Sequence, residues 1–424
     1  MKRWLAAAVL GMLGVAAVVW FAVPNGAARE PDLIFIVIDT LRGDRTSICG
    51  HDRPTTPTLE GLVGDGWSVS CGAVSPGSWT LPSHGSFFTG RTVIDVKGSP
   101  EHGPTLAEKM AARGYQSVMV SGNMVLRQGW LANGFDQVRI ARNFRELRGP
   151  KLAAELDRQL AELDPERPAL VFVNIIDAHS PYPAVPADAG WLPEQPPVHQ
   201  RRFQQNRETP FNRFVTGQMS PDEHARYQQR LENGYDWGVH HADSSVQAVL
   251  ATLQDHGRLA HHRAVITSDH GEFLGEHHQV GHGDTLFEPS VRVPLLYHAS
   301  DGSTPELPDL MEARLAHQLL ETGTLDVDGP VLSATYFVQS ERESYNGVAV
   351  WTPDSAGKLL WRDGEYQYFD LASDPSEDQA RPLGEHPMRD TLEALVEANA
   401  PAIDKHGDYS EDTIELLRAA GYVE

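Results

Sequence analysis

Short runs of apolar residues recur along the chain, each bounded by polar residues or glycine. Leu33–Ile38 has no polar position, which is typical of a strand buried on both faces of a sheet. Three later runs follow helical patterns: Tyr115–Val120 after Thr105–Arg113, Ala169–Ile176 after Lys151–Leu163, and Ala264–Thr267 after Asn233–Asp255. This alternation predicts an α/β fold whose mostly parallel sheet is covered by helices on both faces.

The pattern changes in the last third of the chain. Beyond Ser300, short strands separated by turns predict a small antiparallel sheet, and Glu411–Ala420 predicts a terminal helix. The segment Pro183–Pro221, rich in Pro, Gln, Arg and Asn, predicts a long irregular insertion, either a substrate-contacting lid or a surface loop. We therefore expect a main α/β domain over residues 29–330 and a small α+β subdomain over residues 331–424.

The first residues predict a membrane-directed segment. Lys2 and Arg3 precede the apolar run Trp4–Val23, which at about 1.5 Å per helical residue spans a bilayer core of about 30 Å. Because the positive residues come first, everything after this run should be extracytoplasmic, in the periplasm or at the cell surface. The alternative is a signal peptide cleaved near residues 27–28, and the protein would then be secreted. Residues 1–28 are thus expected to be a signal-anchor or transmembrane segment.

The charge balance excludes one class of partner. There are 35 Lys plus Arg against 58 Asp plus Glu, a formal net charge of -23, and a surface of that sign repels polyanions. Nucleic acid is therefore not an expected partner. The only cysteines, Cys49 and Cys71, exclude a disulfide-rich scaffold and a Cys-rich zinc domain. They either form one disulfide, which export permits, or are two separately buried thiols.

Reactive side chains follow four of the predicted strands. They are Asp39, the turn Ser121–Asn123, Asp177 with His179, and Asp269 with His270. In a parallel sheet, ligands bind beyond the carboxyl ends of the strands. We therefore expect these distant residues to meet at one edge of the sheet.

A hydroxyl group is predicted at the start of a helix within Ser78–Arg91. Thr80 precedes Pro82, a residue favoured in the first helical turn, and Gly90 can end the helix. Free N–H groups and the helix dipole there stabilise negative charge, including charge on an attacking oxygen. Thr80 is thus a candidate nucleophile, and the alternative is that it only caps the helix.

Metal ligands are expected beside this hydroxyl group. Asp39, Asp269 and His270 offer the oxygen and nitrogen atoms that a divalent metal binds. A metal that also contacted Thr80 would lower the pKa of its hydroxyl group.

Two further histidines lie in polar motifs. His179 lies in Asp177–Tyr182 and His282 in Gly275–Gly283. An imidazole near the leaving oxygen can supply its proton or bind the non-reacting oxygens. A structural role is the alternative for each.

Five motifs stand in a fixed order between Asp32 and Leu296. They are Ile38–Arg45, Trp79–Arg91, Asn174–Tyr182, Thr267–His277 and Gly281–Pro294. Together they resemble the sulfatase family of the alkaline phosphatase superfamily, and Tyr368–Pro375 is similar to that family's closing strand and turn. The resemblance implies an alkaline phosphatase-like fold, with residues 29–330 as the catalytic domain, and a covalent enzyme ester. It implies Asp39, Thr80, Asp269 and His270 as metal ligands, Thr80 as nucleophile, and His179, His282 and His84 as further catalytic residues.

Three positions depart from the family pattern. His84 stands where Arg is usual, and Thr40 where a second Asp is frequent. Thr80 replaces the Cys or Ser that sulfatases oxidise to formylglycine, so no formylglycine is expected. A threonine nucleophile resembles the superfamily's phosphodiesterases and phosphotransferases, and a less acidic site leaves Ca²⁺, Mn²⁺ and Zn²⁺ open for one divalent ion.

The resulting hypothesis is a metal-dependent hydrolase of sulfate or phosphate esters or diesters. Its substrate would be a small molecule, or a glycan or lipid that carries such an ester, and its membrane contact would be the amino-terminal helix. Two alternatives remain: a membrane-associated transferase of phospho-headgroups, and a catalytically silent binding protein with the same fold.

Overall fold

The computed structural model describes residues 29–98, 103–127, 129–198, 209–340, 343–362 and 364–403. The strands are β1 Asp32–Ile38, β2 Ser68–Val74, β3 Gln116–Ser121, β4 Gln137–Ile140, β5 Ala169–Ile175, β6 His262–Thr267, β7 Phe273–Leu274, β8 Val280–Gly281, β9 Arg292–Ala299, β10 Leu310–Glu312, β11 Leu332–Ser340, β12 Glu343–Trp351, β13 Gly357–Arg362, β14 Glu365–Asp370 and β15 Arg381–Pro382. The α-helices are α1 Pro57–Gly64, α2 Thr80–Thr89, α3 Val93–Gly98, α4 Leu106–Ala112, α5 Pro150–Leu160, α6 Pro210–Val215, α7 Pro221–Asp255, α8 Glu288–Val291, α9 Ala316–Thr322 and α10 Arg389–Ile403.

The main sheet has the strand order β10-β2-β9-β6-β1-β5-β3-β4. Strand β1 is parallel to both β5 and β6, and β3 is parallel to β5 and β4. Only β9 runs antiparallel, to β2 and β6. The predicted α/β fold with a mostly parallel sheet is therefore confirmed.

Alternate residues of β1 face two separate hydrophobic cores. Ile34, Ile36 and Ile38 pack into the core on the side of α5 and α7, whereas Phe35 and Val37 pack into the other core. Because side chains alternate across a strand, an uninterrupted apolar run is what a sheet covered on both faces requires.

The long helix α7 begins earlier than the apolar pattern predicts. Ser220 caps it in a capping box with Glu223, and Pro221 occupies the first turn. The insertion before it is irregular up to residue 198, as predicted, but it also contains the short helix α6. That helix starts at Thr209, whose side chain caps it. The composition of the insertion does not reveal this cap.

The carboxy-terminal strands form a separate antiparallel sheet in the order β11-β12-β13-β14-β15, which confirms that expectation. Lys358 on β13 is buried and contacts the carboxylates of Glu288 and Glu377, so it joins this sheet to α8. The described residues from Pro31 onward form one compact unit, and the domain boundary at residue 330 stays a prediction.

Two predicted elements lie outside the described residues: the amino-terminal segment 1–28 and the terminal helix Glu411–Ala420. Within the ranges that are described, no helix combines the length and the apolar character needed to cross a membrane. Cys49 and Cys71 form a disulfide, which decides between the two alternatives for the cysteines.

Candidate functional site

The candidate site lies at the carboxyl edge of the main sheet. Strands β6, β1, β5 and β3 are neighbours and parallel, so the loops that follow them emerge together. Three buried side chains on these loops form a cluster: Asp39 after β1, with Asp269 and His270 after β6. Their potential ligand atoms lie within 4.8 Å of one another.

The loop after β1 is held in place by backbone and side-chain contacts. Thr40 has a left-handed φ of 59°, and its N–H donates to Asp269 Oδ1 at 3.3 Å. The Tyr235 hydroxyl donates to the Thr40 carbonyl at 2.6 Å and accepts from the Arg42 N–H at 2.9 Å. These contacts fix Asp39 beside the β6 loop. Tyr235 lies on α7, far away in sequence, and no local signal pointed to it.

The electrostatics of the cluster suit a cation. Burial raises the pKa of Asp269 and the neighbouring Asp39 charge raises it further, whereas burial lowers the pKa of His270. His270 Nδ1 lies 2.9 Å from the Gly271 carbonyl, so Nδ1 carries the hydrogen and Nε2 keeps its lone pair.

The atoms that would hold a metal are not used in hydrogen bonds. Among the described residues, Asp39 Oδ1, Asp269 Oδ2 and His270 Nε2 are buried without a hydrogen bond. Unpaired buried polar atoms are costly, so three of them facing one point need explanation. Two carboxylates and one neutral imidazole fit Zn²⁺ or Mn²⁺, and the carboxylates also fit Ca²⁺.

Thr80 is the first residue of α2 and is fully buried. The preceding residue, Trp79, occupies the cap position, and the Thr80 hydroxyl makes no hydrogen bond to the described backbone of its own helix. Its oxygen instead accepts a hydrogen bond from Asn123 Nδ2 at 3.1 Å. The same amide donates to Asp39 Oδ2 at 2.7 Å. Thr80 is therefore joined to the cluster through one side chain.

Asn123 is oriented by its own neighbours. Its Oδ1 accepts from the Val125 N–H at 2.8 Å, which leaves the NH2 group to face Asp39 and Thr80. Asn174 Oδ1 accepts from the Asn123 N–H at 3.1 Å. The strand-end pattern pointed to the turn Ser121–Asn123, but not to this bridging contact.

His84 lies one helical turn after Thr80 on α2, and its side chain is fully buried. Its Nδ1 is 2.9 Å from the Thr80 carbonyl and 3.6 Å from Asp269 Oδ2. Its ring makes edge contacts with Phe87 and Phe172. Burial lowers the pKa of His84 to about 4, so the ring is neutral near pH 7. It contacts backbone and carboxylate groups, and its catalytic role stays a prediction.

His179 and His282 lie together next to the cluster. Their ring centroids are 5.3 Å apart, and the His282 ring is 4.3 Å from that of His270. His282 Nδ1 is 3.2 Å from Oε1 of the buried Glu272, and His179 Nδ1 is 2.5 Å from the Ser180 carbonyl. Each contact engages Nδ1 of its ring, and within the described structure His179 Nε2 is buried without a hydrogen bond. Glu272 belongs to a motif noted in the sequence, but this contact was not foreseen.

Strand β11 of the second sheet contacts both sides of the site. Ser78 Oγ donates to Thr335 Oγ1 at 2.7 Å, and Trp79 Nε1 donates to the Tyr336 carbonyl at 2.8 Å. Thr335 Oγ1 in turn donates to the Gly283 carbonyl at 3.3 Å. The start of α2 and the loop of His282 therefore share one support.

Comparisons with known proteins give a family match and a relative. The sulfatase family model matches residues 31–322. An arylsulfatase of Clostridium perfringens (strain 13 / Type A) is 22% identical over 441 residues, which cover 82% of this chain and 89% of that protein.

Two solved structures illustrate the shared fold. A phosphonate monoester hydrolase of Agrobacterium radiobacter aligns with a TM-score of 0.59 and 16% identity, over 89% of this chain and 96% of that one. The C-terminal periplasmic domain of a phosphoethanolamine transferase from Campylobacter jejuni aligns with a TM-score of 0.51 and 15% identity, over 69% of this chain and 88% of that one.

Proposed function

The chain belongs to the sulfatase family, and from that premise we propose that it is a metal-dependent hydrolase that cleaves phosphate or sulfate esters through a covalent ester on Thr80. One observation carries the proposal: Asn123 bridges the buried Thr80 hydroxyl group to Asp39, a member of the cluster with Asp269 and His270. A hydroxyl group at a helix N-terminus beside three metal-ligand atoms has the surroundings that an oxygen nucleophile needs.

Asp39, Asp269 and His270 would hold one divalent ion, with Thr80 as a fourth ligand. When bound, the cation would neutralise the carboxylates and stabilise negative charge on the Thr80 oxygen, which lowers the pKa of the hydroxyl group. Asn123 orients that oxygen, because its NH2 group donates both to it and to Asp39.

The reaction would proceed in two displacements. The Thr80 hydroxyl group would release its proton to solvent, its oxygen would bond to phosphorus or sulfur, and the bond from that atom to the alcohol oxygen would break. His282 or His179, in its protonated form, would give a proton to the departing alcohol oxygen. A water molecule would then give a proton back to that histidine and attack the same atom, and the bond to the Thr80 oxygen would break. This releases inorganic phosphate or sulfate (or the phosphomonoester from a diester), and the Thr80 oxygen takes up a proton from solvent. Glu272 keeps the His282 ring in one orientation during both steps.

We propose phosphate or phosphonate esters as the preferred substrates, with sulfate esters as the second possibility. Thr80 cannot form the aldehyde on which formylglycine-dependent sulfatases rely, and a threonine ester suits phosphoryl transfer. The relatives point in both directions, since one is an arylsulfatase and one structural neighbour is a phosphonate monoester hydrolase.

The second candidate function is transfer of a phospho-headgroup to an acceptor in the envelope. It is favoured by the structural likeness to the periplasmic domain of a phosphoethanolamine transferase and by the apolar segment Trp4–Val23. We propose accordingly that the protein acts outside the cytoplasm, attached to the membrane by residues 1–28.

The test is hydrolysis by the full-length chain of matched aryl sulfate, aryl phosphate monoester and aryl phosphodiester, with Ca²⁺, Mn²⁺ or Zn²⁺ added separately. Thr80→Ala should abolish turnover, whereas Thr89→Ala, at the other end of the same helix, should retain it. Phosphoester cleavage that needs Thr80, with a phosphothreonine found by mass spectrometry, is the expected result.

Other outcomes identify the alternatives. Thr80-dependent cleavage of the sulfate alone would overturn the preference for phosphoesters. Turnover that requires an alcohol acceptor would favour the transferase. A metal-loaded protein without turnover of any ester would support the silent binding protein.

A further inference from the structure

The segment Arg139–Lys151 has a charge opposite to that of the whole chain. It holds four Arg and one Lys against its one acidic residue, Glu146, in a protein of net charge -23. The segment runs from the last two residues of β4 to the first two residues of α5, so it leaves the sheet at its carboxyl edge, where the site lies. A local positive potential at this edge attracts anions that the rest of the surface repels.

The segment is in direct contact with the candidate site. The Phe144 ring centroid lies 4.7 Å from that of His179. Arg148 Nη2 donates to the His179 carbonyl at 2.7 Å, and Arg148 Nη1 donates to the Pro181 carbonyl at 3.3 Å. Two side chains of the segment therefore pack against the loop that presents His179.

Charges of the segment and of the candidate site act on one side chain, that of Arg148. Burial lowers the pKa of Arg148, the carboxylates of Asp177 and Asp39 oppose that effect, and Arg145 adds to it. Arg148, which contacts the loop of His179, is thus close both to a charge of the segment and to a carboxylate of the site.

The acidic residue of the segment is already paired. Glu146 Oε1 accepts from Arg139 Nη2 at 2.7 Å, and Glu146 Oε2 accepts from the Arg142 backbone N–H at 2.5 Å. Asn143 Oδ1 accepts from the Arg145 backbone N–H at 3.0 Å. These bonds hold the turn through its backbone and leave both exposed side chains, Arg142 and Arg145, outside the network.

Within the described part of the chain, the guanidinium groups of Arg142 and Arg145 have no hydrogen bond or ion pair. Each offers a planar fork of N–H donors that matches a carboxylate, sulfate or phosphate. A long polyanion would be repelled by the acidic surface elsewhere. A small ligand with one further anionic group could instead pair with these two side chains.

We propose that Arg142 and Arg145 form a subsite for a second anionic group of the substrate, so that the preferred ester carries a carboxylate, sulfate or phosphate besides the group that is cleaved. This inference rests on the proposed function, because it assigns a substrate class to the same site. The subsite would lower KM and leave kcat, which reports the chemical step at Thr80, unchanged.

The experiment uses the full-length protein and two esters that differ in one position, a free carboxylate on the leaving alcohol against its methyl ester. The wild type should prefer the carboxylate. The double variant Arg142→Ala/Arg145→Ala should lose about tenfold in kcat/KM for the carboxylate, through KM, and less than twofold for the methyl ester. Arg142→Lys/Arg145→Lys should retain most of the preference, and raising the salt concentration should weaken it.

The matched control is Arg158→Ala/Arg381→Ala, which removes two positive charges from exposed side chains on α5 and β15. Its preference for the carboxylate should equal that of the wild type.

The subsite would be overturned if both double variants lost kcat/KM for the carboxylate equally. It would also be overturned if the alanine variant at Arg142 and Arg145 lost kcat equally for both esters. If the wild type hydrolyses both esters equally well, the subsite is also wrong although the proposed function stands. If it hydrolyses no ester, the proposed function fails, and the subsite with it.

Discussion

The side-chain nitrogen of Asn123 lies 3.1 Å from the hydroxyl oxygen of Thr80. The same nitrogen donates its other hydrogen to Asp39, so one amide sets the spacing between the proposed nucleophile and a proposed metal ligand. A carboxylate at this position could not make both contacts, because it has no hydrogen to donate.

Replacing Asn123 by alanine should lower kcat by about 10- to 100-fold, since it removes the group that orients both the hydroxyl oxygen and the carboxylate. The measurement is steady-state kinetics with metal content determined on the same samples. Asn133→Ala, at an exposed asparagine, is the control and should leave kcat unchanged. Full kcat in Asn123→Ala would contradict the bridging role.

Asp269→Ala should lose bound metal and activity together. It removes a carboxylate whose Oδ2 is buried and accepts no hydrogen bond in the described structure. The measurement is elemental analysis of purified protein beside the ester assay, with Asp301→Ala, far from the cluster in an exposed turn, as the control. An active, metal-replete Asp269→Ala protein would remove the site assignment.

The buried pair Lys358 and Glu377 should make stability depend on pH. Burial raises the pKa of Glu377 from 4.5 to about 7; the nearby Lys358 opposes this and the Glu288 charge adds to it. A carboxyl group whose pKa is raised on folding stabilises the protein fully below about pH 4.5, and this contribution is lost as pH rises through about 7.

Glu377→Gln should therefore flatten the dependence of the unfolding free energy on pH between about 4.5 and 7. Denaturant unfolding of wild type and variant at several pH values in this window measures the difference. Parallel curves for the two proteins would show that Glu377 does not titrate there.

The disulfide between Cys49 and Cys71 should contribute about 3 kcal/mol to the free energy of unfolding, because it closes a loop of 22 residues in the unfolded chain. Urea unfolding of Cys49→Ser/Cys71→Ser against the oxidised wild type checks this value. Alkylation of both thiols without prior reduction, seen by mass spectrometry, would contradict the bond.

The sequence predicts the centre of the main sheet well because burial leaves a clear pattern there. Leu33–Ile38 matches β1 to within one residue, since both neighbours of β1 are parallel strands and both its faces are covered. Strands β2, β4, β9 and β10 of the main sheet were not predicted. Strand β4 has four residues, and the seven residues of β2 mix polar with apolar positions, so no regular period distinguishes either strand from a loop.

The candidate site was predictable as a set of residues but not as a set of contacts. Asp39, Asp269 and His270 each follow a predicted strand, and parallel topology alone brings them together. The bridge through Asn123 and the support of His282 by Glu272 depend on side-chain directions, which a linear pattern does not contain.

Strand β11 has hydrogen-bonding partners in the second sheet but touches Ser78 beside the proposed nucleophile and Gly283 beside His282. A recombination event that exchanged roughly the last hundred residues between two relatives would therefore also replace a residue that holds the candidate site in place. We expect the two segments to have been inherited together, and grafting a foreign carboxy-terminal sheet to succeed only when its first strand preserves the hydroxyl group at position 335.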